Sequence, residues 1–407
     1  MLNFPKRYWM VWIATCGMIG ATLSMKNIAG LFFTPMAETF GTGRGAVSLT
    51  LTINNLLLAA GDYVSPRLFH SGNYRRLSRL CVLCAVGATF LMGWTPNLPV
   101  LYVLCALRGF ATGLLGIVLG TVVINNWFVR GNSFVTGVAM AMSGLGSAVL
   151  SPLLSAVIES AGWRAGFRAE ALVGLLLYLP LAALPVSFRP EDQGLTPFGG
   201  ERAASDAAMD AAVGTRALWH LPAVLALAVF ANATSVFTNH MPGVANSYAL
   251  PAAVGAAMLS VSMVTNAGGK VLFGALAERH GAKRPAMAYA VLIAAGMAVL
   301  LTVHTASAAV VCGASLGLSF SLTTVVPALV TKDVFGQASY RRVFPVVMLA
   351  GTLANASFAS LIGYSYDGAG SYRPAMLLLT AFLVGIILLL VLLYGKRRTD
   401  GNVKTLS

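Results

Sequence analysis

Charge is what this chain has least of. Only 10% of its 407 residues are Asp, Glu, Lys or Arg, against about a quarter in a soluble globular domain, and that scarcity excludes an ordinary soluble enzyme. Acids are the rarer sign, with 13 Asp and Glu against 27 Lys and Arg. Histidines are few and scattered. The five cysteines, Cys16, Cys81, Cys84, Cys105 and Cys312, all fall within apolar stretches. No catalytic constellation and no metal-ligand spacing results, so the chain is read as no enzyme, with no catalytic residue, metal or cofactor expected. Cys81-x-x-Cys84 is read as two small apolar residues facing lipid or a neighbouring helix rather than as a zinc or redox pair.

Apolar residues are present in excess, at 57% of the chain, and mark a polytopic membrane protein lying in a lipid bilayer. The net charge of +14 sits in short clusters between apolar runs, which is the positive-inside pattern and not a basic face for nucleic acid. Windows of about 20 apolar residues begin near residues 8, 45, 77, 98, 134, 166, 218, 252, 285, 306, 343 and 373, giving twelve expected transmembrane helices. Lys6 and Arg7 precede the first apolar run, which has no small-residue cleavage site and is read as a span. With the N-terminus inside, Arg67, Arg75, Arg76, Arg79, Arg130, Arg279, Lys283, Arg284, Lys332, Arg341, Arg342 and the cations after Lys396 share its side, while Arg44, Arg164, Arg168 and Arg373 lie opposite. Both termini are therefore expected in the cytoplasm.

The segment RPEDQGLTPFGGERAASDAAMDAAVGTR is polar and rich in Gly, Pro and Ala. It divides the chain into an N-terminal six-helix bundle (1–188), a cytoplasmic linker (189–217), a C-terminal six-helix bundle (218–396) and a cytoplasmic tail (397–407). The halves echo one another: Gly61 to Arg76 stands after the second span where Gly274 to Arg284 stands after the eighth. Two related halves suit alternating access, in which one bundle rocks against the other around a site between them.

Lys270 lies in the apolar run of the eighth span, where a lysine at mid-bilayer costs about 2.5 to 3.5 kcal/mol on insertion scales. Lys26, in SMKNIAGLFF, lies about nine residues from Pro35, and Lys270 about eight from Glu278. Each is thus about 12 to 14 Å inside its membrane edge at 1.5 Å per residue. An anionic substrate between them explains both; snorkelling or a bond to a backbone carbonyl is the other reading. Arg108, about ten residues into the fourth span, is read as either a substrate residue or an organiser bonded to Asn54 or Asn55. Asp62 is expected to pair with a loop arginine. The remaining acids read as loop or membrane-edge residues, so the expected cavity holds three cations and no acid. Asn239 and His240 in the seventh span can line it, and helix-to-helix hydrogen bonding or packing explains them as well. Gly137, Gly144 and Gly146 need only close helix packing.

Gly274, Glu278, Arg279, Gly281, Lys283 and Arg284 fit G-x-x-x-(D/E)-R-x-G-x-(K/R)-(K/R), which resembles the inter-helix loop signature of the major facilitator superfamily. In local terms, Gly274 lets helices approach, Glu278 pairs with Arg279, and Gly281 permits the turn. Residues 127–146, WFVRGNSFVTGVAMAMSGLG, together with GWRAGF and YDGAGSY, are similar to its monocarboxylate transporter and oxalate/formate exchanger branch. That resemblance implies an all-α fold of two pseudo-symmetric six-helix bundles. It implies that Lys26 and Lys270 meet the substrate carboxylate, Lys270 standing where an arginine is usual. It also places Asn266 where proton-coupled members carry an aspartate, and Phe320 and Thr324 on the cavity side of the tenth helix. The expected function is transport of a small organic anion, a monocarboxylate or short dicarboxylate, by a monomer in the plasma or inner membrane. Exchange or uniport is placed ahead of proton symport, and a drug or metabolite exporter of the same fold is the alternative.

Overall fold

The computed structural model describes residues 4–130, 132–200 and 220–395. Linker residues 201–217, the side chains of Glu278, Arg341 and Arg342, and the tail beyond Gly395 lie outside the described residues. The chain is all-α. Its first span is built from α1 (Lys6–Asn27), a 3-10 turn (Ala29–Phe32) and α2 (Phe33–Phe40). The second and third are α3 (Arg44–Leu68) and α4 (Tyr74–Met92), and the fourth joins α5 (Leu98–Leu114) to α6 (Ile117–Trp127). The fifth and sixth lie in α7 (Asn132–Ala183), broken at Gly162 with φ 81°. The seventh repeats the first, with α8 (Leu221–Val236), a 3-10 turn (Phe237–His240) and α9 (Met241–Ser247). Then come α10 (Ala252–His280), α11 (Lys283–Thr302), α12 (Ala306–Gly317), α13 (Ser319–Ala369), which runs from the tenth span into the eleventh, and α14 (Arg373–Gly395).

Among the described residues, nine helical stretches are long and apolar enough to cross a membrane, one of them covering both crossings of α7. Helices α3 and α4 complete the twelve despite Asn54, Asn55 and Asp62 in one and Arg75, Arg76 and Arg79 in the other. Local signals start several helices. Asn97 accepts from the Val100 N–H ahead of α5, and Thr305 caps α12 through the Ala308 N–H. That second cap makes residues 303–305 a true turn between the ninth and tenth spans.

The pseudo-two-fold relation is visible in where helices break. The first and seventh spans both pass through a 3-10 turn, and the fourth and tenth are both interrupted, at 115–116 and at Leu318. Within the N-terminal bundle α1 packs on α7, α3 on α5 and α4 on α7; within the C-terminal bundle α8 packs on α13, α10 on α12 and α11 on α14. The bundles meet along two long seams, α3 against the eleventh span in α13 and α7 against α10, and also where the breaks of the first and seventh spans touch. Leucine and valine side chains such as Leu83, Val103, Leu176, Val271 and Leu388 form the exposed apolar perimeter that a bilayer covers. All five cysteines are free thiols, with Cys81 buried and Cys84 facing outward.

An even number of crossings puts both ends of the described chain on one face, called here the terminal face. On the opposite face, one apolar core runs through both bundles, from Phe32, Phe33 and Met36 to Phe237, Met241 and Val244. Toward the terminal face the N-terminal bundle has its own core, around Tyr8, Trp12, Trp127 and Phe128. Linker residues 190–200 pack onto this second core: Phe198 makes edge contacts with Phe4 and Tyr8, and the Tyr8 hydroxyl donates to the Thr196 carbonyl at 2.6 Å.

Candidate functional site

The seams fix which side of the molecule is closed. Along the α7–α10 seam, Ser151 Oγ donates to the Ala256 carbonyl at 2.9 Å and Ser260 Oγ to the Ala148 carbonyl at 2.7 Å. Asn27 Nδ2 then reaches Met263 Sδ at 3.5 Å. Along the other seam, Thr52 bonds the Ala356 carbonyl and Ser360, and Asn55 Nδ2 donates to Asn355 Oδ1 at 3.1 Å. Both series start at the face opposite the termini and stop near mid-membrane. These bonds close the two bundles against each other on the far side.

A latch seals the closed side. Both Asp367 carboxylate oxygens accept backbone N–H groups of the other bundle, Arg44 at 2.7 Å and Gly45 at 2.6 Å, supplying the cap that the N-terminus of α3 does not get from Gly43. The Arg44 guanidinium donates to the Gly243 carbonyl at 3.1 Å and the Tyr372 hydroxyl at 3.3 Å, and lies 4.0 Å over the Tyr366 ring. Below it, Phe33 of one bundle faces His240 of the other. Asp367→Asn removes a charged cap worth about 1 to 2 kcal/mol, a factor of roughly 5 to 30 in a two-state population. Labelling of a Ser48→Cys thiol, buried behind this latch, from the opposite face is expected to accelerate by that factor; an unchanged rate would show that Asp367 does not hold the closure.

Lys270 lies just beyond the end of the α7–α10 seam. Ala256, Ser260, Met263, Ala267 and Lys270 follow one another at helical spacing along α10, and the first four meet or flank α7. Lys270 continues that stripe one turn past the last contact and is half-buried. Among the described residues, its ammonium group has no hydrogen bond or ion pair. Asn266 is buried at 2% exposure beside Gly144, with its Oδ1 unpartnered and its Nδ2 3.9 Å from Met263 Sδ.

Arg108 is compensated, which corrects the expectation of three intramembrane cations with no acid among them. Arg108 Nη1 lies 3.3 Å from Glu170 Oε1 and its Nε donates to Asn54 Oδ1 at 3.0 Å, so Arg108 is held inside the N-terminal bundle by an acid the sequence reading passed over. Glu170 is 1% exposed. Its place near the start of the sixth span, close to Arg164 and Arg168, gives it the look of a membrane-edge acid in the sequence. Lys26 is half-buried and its charge is felt by Asp62. Asp62 points into the bundle, where the Val118 N–H reaches it and its Oδ1 touches the α6 entrance at Gly116. The expected loop arginine is not its partner, because the carboxylate is turned away from the terminal loops.

Asn239 and His240 sit at the closed side. The Asn239 carboxamide nitrogen, in the orientation its surroundings require, donates to the Lys26 and Asn27 carbonyls, each at 3.2 Å. These carbonyls belong to the break of the first span, so the breaks of the first and seventh spans bond each other. The approach needs Gly30, where any Cβ would collide with the Asn239 carbonyl. His240 Nε2 bonds the Ala359 carbonyl at 2.9 Å, and its Nδ1 has no partner. Phe320 is half-buried, while Thr324 is exposed and donates to the Phe320 carbonyl at 2.8 Å.

In the loop signature, Gly281 adopts φ 72° and ends α10, as a turn glycine does. Arg279 and Arg284 are exposed and Lys283 is half-buried. The close-approach reading of Gly274 is overturned: a Cβ there meets no atom within 4 Å among the described residues, and the same holds for Gly137. Gly144 and Gly146 lie on the closed side and do pack closely, against Met263 and Ser24.

The family model described as Major Facilitator Superfamily matches residues 14–338. An uncharacterized MFS-type transporter of Bacillus subtilis (strain 168), YcxA, is 23% identical over 200 residues, and the match spans 48% of each chain, so this chain covers about half the length of that curated relative. Among solved structures, the nucleoside transporter NupG superposes with a TM-score of 0.70 at 13% identity, over 96% of this chain and 100% of that one. A bacterial homolog of the human lysosomal transporter Spinster, in an inward-facing and occupied conformation, gives 0.68 at 13% identity over 96% and 97%. At such identities these structures establish the fold alone. With a family match over most of its length, twelve crossings in two bundles and paired helix breaks, the chain belongs to the major facilitator superfamily of multi-pass membrane transporters.

Proposed function

We propose that this transporter carries a small organic anion, a monocarboxylate ahead of a short dicarboxylate, by alternating access between the two bundles. The observation that carries the reading is the charge balance inside the membrane. Of three cations there, Arg108 is paired with Glu170 at 3.3 Å, whereas among the described residues no ion pair is made by Lys26 or by Lys270. A single negative charge brought by a substrate compensates Lys270. Its place beyond the seam puts it within reach of a solute entering from the terminal face. The exposed Arg7, Arg67, Arg75, Arg76, Arg79, Arg279 and Arg284 support a cytoplasmic terminal face in a plasma or inner membrane. On this reading residues 1–188 and 218–396 are the moving bundles, 189–217 their linker and 397–407 a tail, in a functional monomer.

Counterflow in proteoliposomes tests the substrate class. Labelled small monocarboxylates are expected to exchange above the level of empty liposomes. Uptake of a nucleoside or an organic cation with no carboxylate exchanged would overturn the reading in favour of a drug or metabolite exporter.

Exchange or uniport fits the amide at Asn266, which does not titrate beside Lys270. A second reading, proton symport, is favoured by one observation: Asp62 is a carboxyl group turned into the N-terminal bundle against Gly116, where a titratable acid can carry a proton. Liposomes containing no counter-anion separate the two. No accumulation beyond that of empty liposomes is expected under an imposed inward proton gradient with the potential clamped. Accumulation that disappears in Asp62→Asn would establish symport with Asp62 as carrier.

A further inference from the structure

A cavity of about 650 Å³ opens on the terminal face, within the N-terminal bundle and away from the passage between bundles. Its wall draws on separate segments: Arg7 of α1, Ser71 and Arg75 at the start of α4, and Asp192 and Gln193 of the linker. The volume is that of a small-molecule site, and the wall contains two guanidinium groups against one carboxylate. The carboxylate is partly engaged, because Asp192 Oδ2 accepts the Arg189 N–H at 3.0 Å. No side chain caps the N-terminus of α4 beside Arg75. Asn73, in the capping position, instead accepts from the His70 N–H at 3.0 Å and donates to the Leu68 carbonyl at 2.7 Å. The positive end of α4 therefore adds to the two arginines.

Gln193 refines the chemistry. Its Nε2 donates to the Pro185 carbonyl at 2.7 Å and to Ser187 Oγ at 3.0 Å, which fixes the amide, and its buried Oε1 has no donor. A buried acceptor without a partner is costly to the fold, so a hydroxyl-bearing ligand relieves a cost the protein carries.

We propose that this cavity binds a phosphate ester bearing a free hydroxyl, with the phosphate on Arg7, Arg75 and the α4 N-terminus and the hydroxyl on Gln193. The bound ester fastens the first part of the linker to α1 and α4. A phosphatidylglycerol headgroup at the membrane edge and a soluble glycerol phosphate present the same groups. The test is the melting temperature of the purified full-length protein in neutral detergent, with added dioleoylphosphatidylglycerol, dioleoylphosphatidylcholine, dioleoylphosphatidic acid or glycerol 3-phosphate. A rise with phosphatidylglycerol that exceeds those with phosphatidylcholine and glycerol 3-phosphate assigns the site to lipid; an equal rise with glycerol 3-phosphate assigns it to a soluble ester. The rise is expected to vanish in Arg7→Gln/Arg75→Gln and to persist in Arg279→Gln/Arg284→Gln, which removes equal charge from the other bundle. Gln193→Leu, which keeps both arginines, is expected to erase the preference for phosphatidylglycerol over phosphatidic acid. No rise with either ester, equal losses in the two arginine pairs, or a preference that survives Gln193→Leu would overturn the proposal.

Discussion

Lys270→Ala is expected to abolish carboxylate transport while leaving the protein folded in the membrane. A carboxylate leaving water for this site gives up its hydration and recovers it through the ammonium group. Removing one partner of a buried charge-assisted bond costs about 2 to 5 kcal/mol, roughly one and a half to three and a half decades in affinity at 1.4 kcal/mol per decade. Folding is not expected to suffer, because Lys270 makes no hydrogen bond or ion pair among the described residues and its removal strands no protein group. Lys270→Arg restores a cation and is expected to keep substantial activity, with altered preference among anions because a planar fork replaces a point charge. Exchange rates of purified variants, normalised to protein recovered from the membrane, decide the matter: a folded alanine variant that exchanges at the parental rate would remove Lys270 from the substrate site.

The architecture was readable because it rests on one-dimensional signals. Twelve apolar windows and the turn chemistry around Gly281 are local properties of the chain, and each led to the corresponding element. The caps at Asn97 before α5 and Thr305 before α12 are ordinary helix starts, but the expected spans did not rest on them. Even the helix breaks have a trace, since Asn27 and Gly30 in the first span and Asn239 and Pro242 in the seventh interrupt apolar runs at corresponding places.

The charge balance was not readable, because partnership between charges is tertiary. Arg108 and Glu170 stand 62 positions apart, and nothing in either neighbourhood announces the other. Glu170 lies close to the start of its span, among Arg164 and Arg168, and so resembles a rim residue in one dimension although it is buried in three. Asp62 misleads in the same manner: its place near the end of α3 suggested the loop arginines, but the helix turns its carboxylate inward toward α6. Gly274 fails for another reason. Whether a glycine is a close-packing residue depends on which side of the transporter is closed, and one sequence serves both states.

Glu170→Ala is expected to be the most destabilising single substitution in the N-terminal bundle. It leaves the Arg108 guanidinium buried at 7% exposure with the neutral Asn54 as its remaining side-chain acceptor. Breaking a buried pair from one side costs about 3 to 5 kcal/mol, whereas replacing both partners by apolar groups of similar volume is often neutral or stabilising. Arg108→Met combined with Glu170→Leu is therefore expected to recover most of the loss. Recovery is incomplete because Asn54 Oδ1 loses the donor it has in Arg108 Nε. Thermal unfolding in detergent, followed by loss of the monodisperse species, measures both terms. Transport by the same double variant then separates two roles for the pair. If the apolar pair restores stability and carboxylate exchange together, Arg108 and Glu170 serve only to hold α5 against the sixth span. If stability returns and exchange does not, the pair acts in the transport cycle itself, and the titratable Glu170 becomes a second place beside Asp62 at which a proton can enter the mechanism.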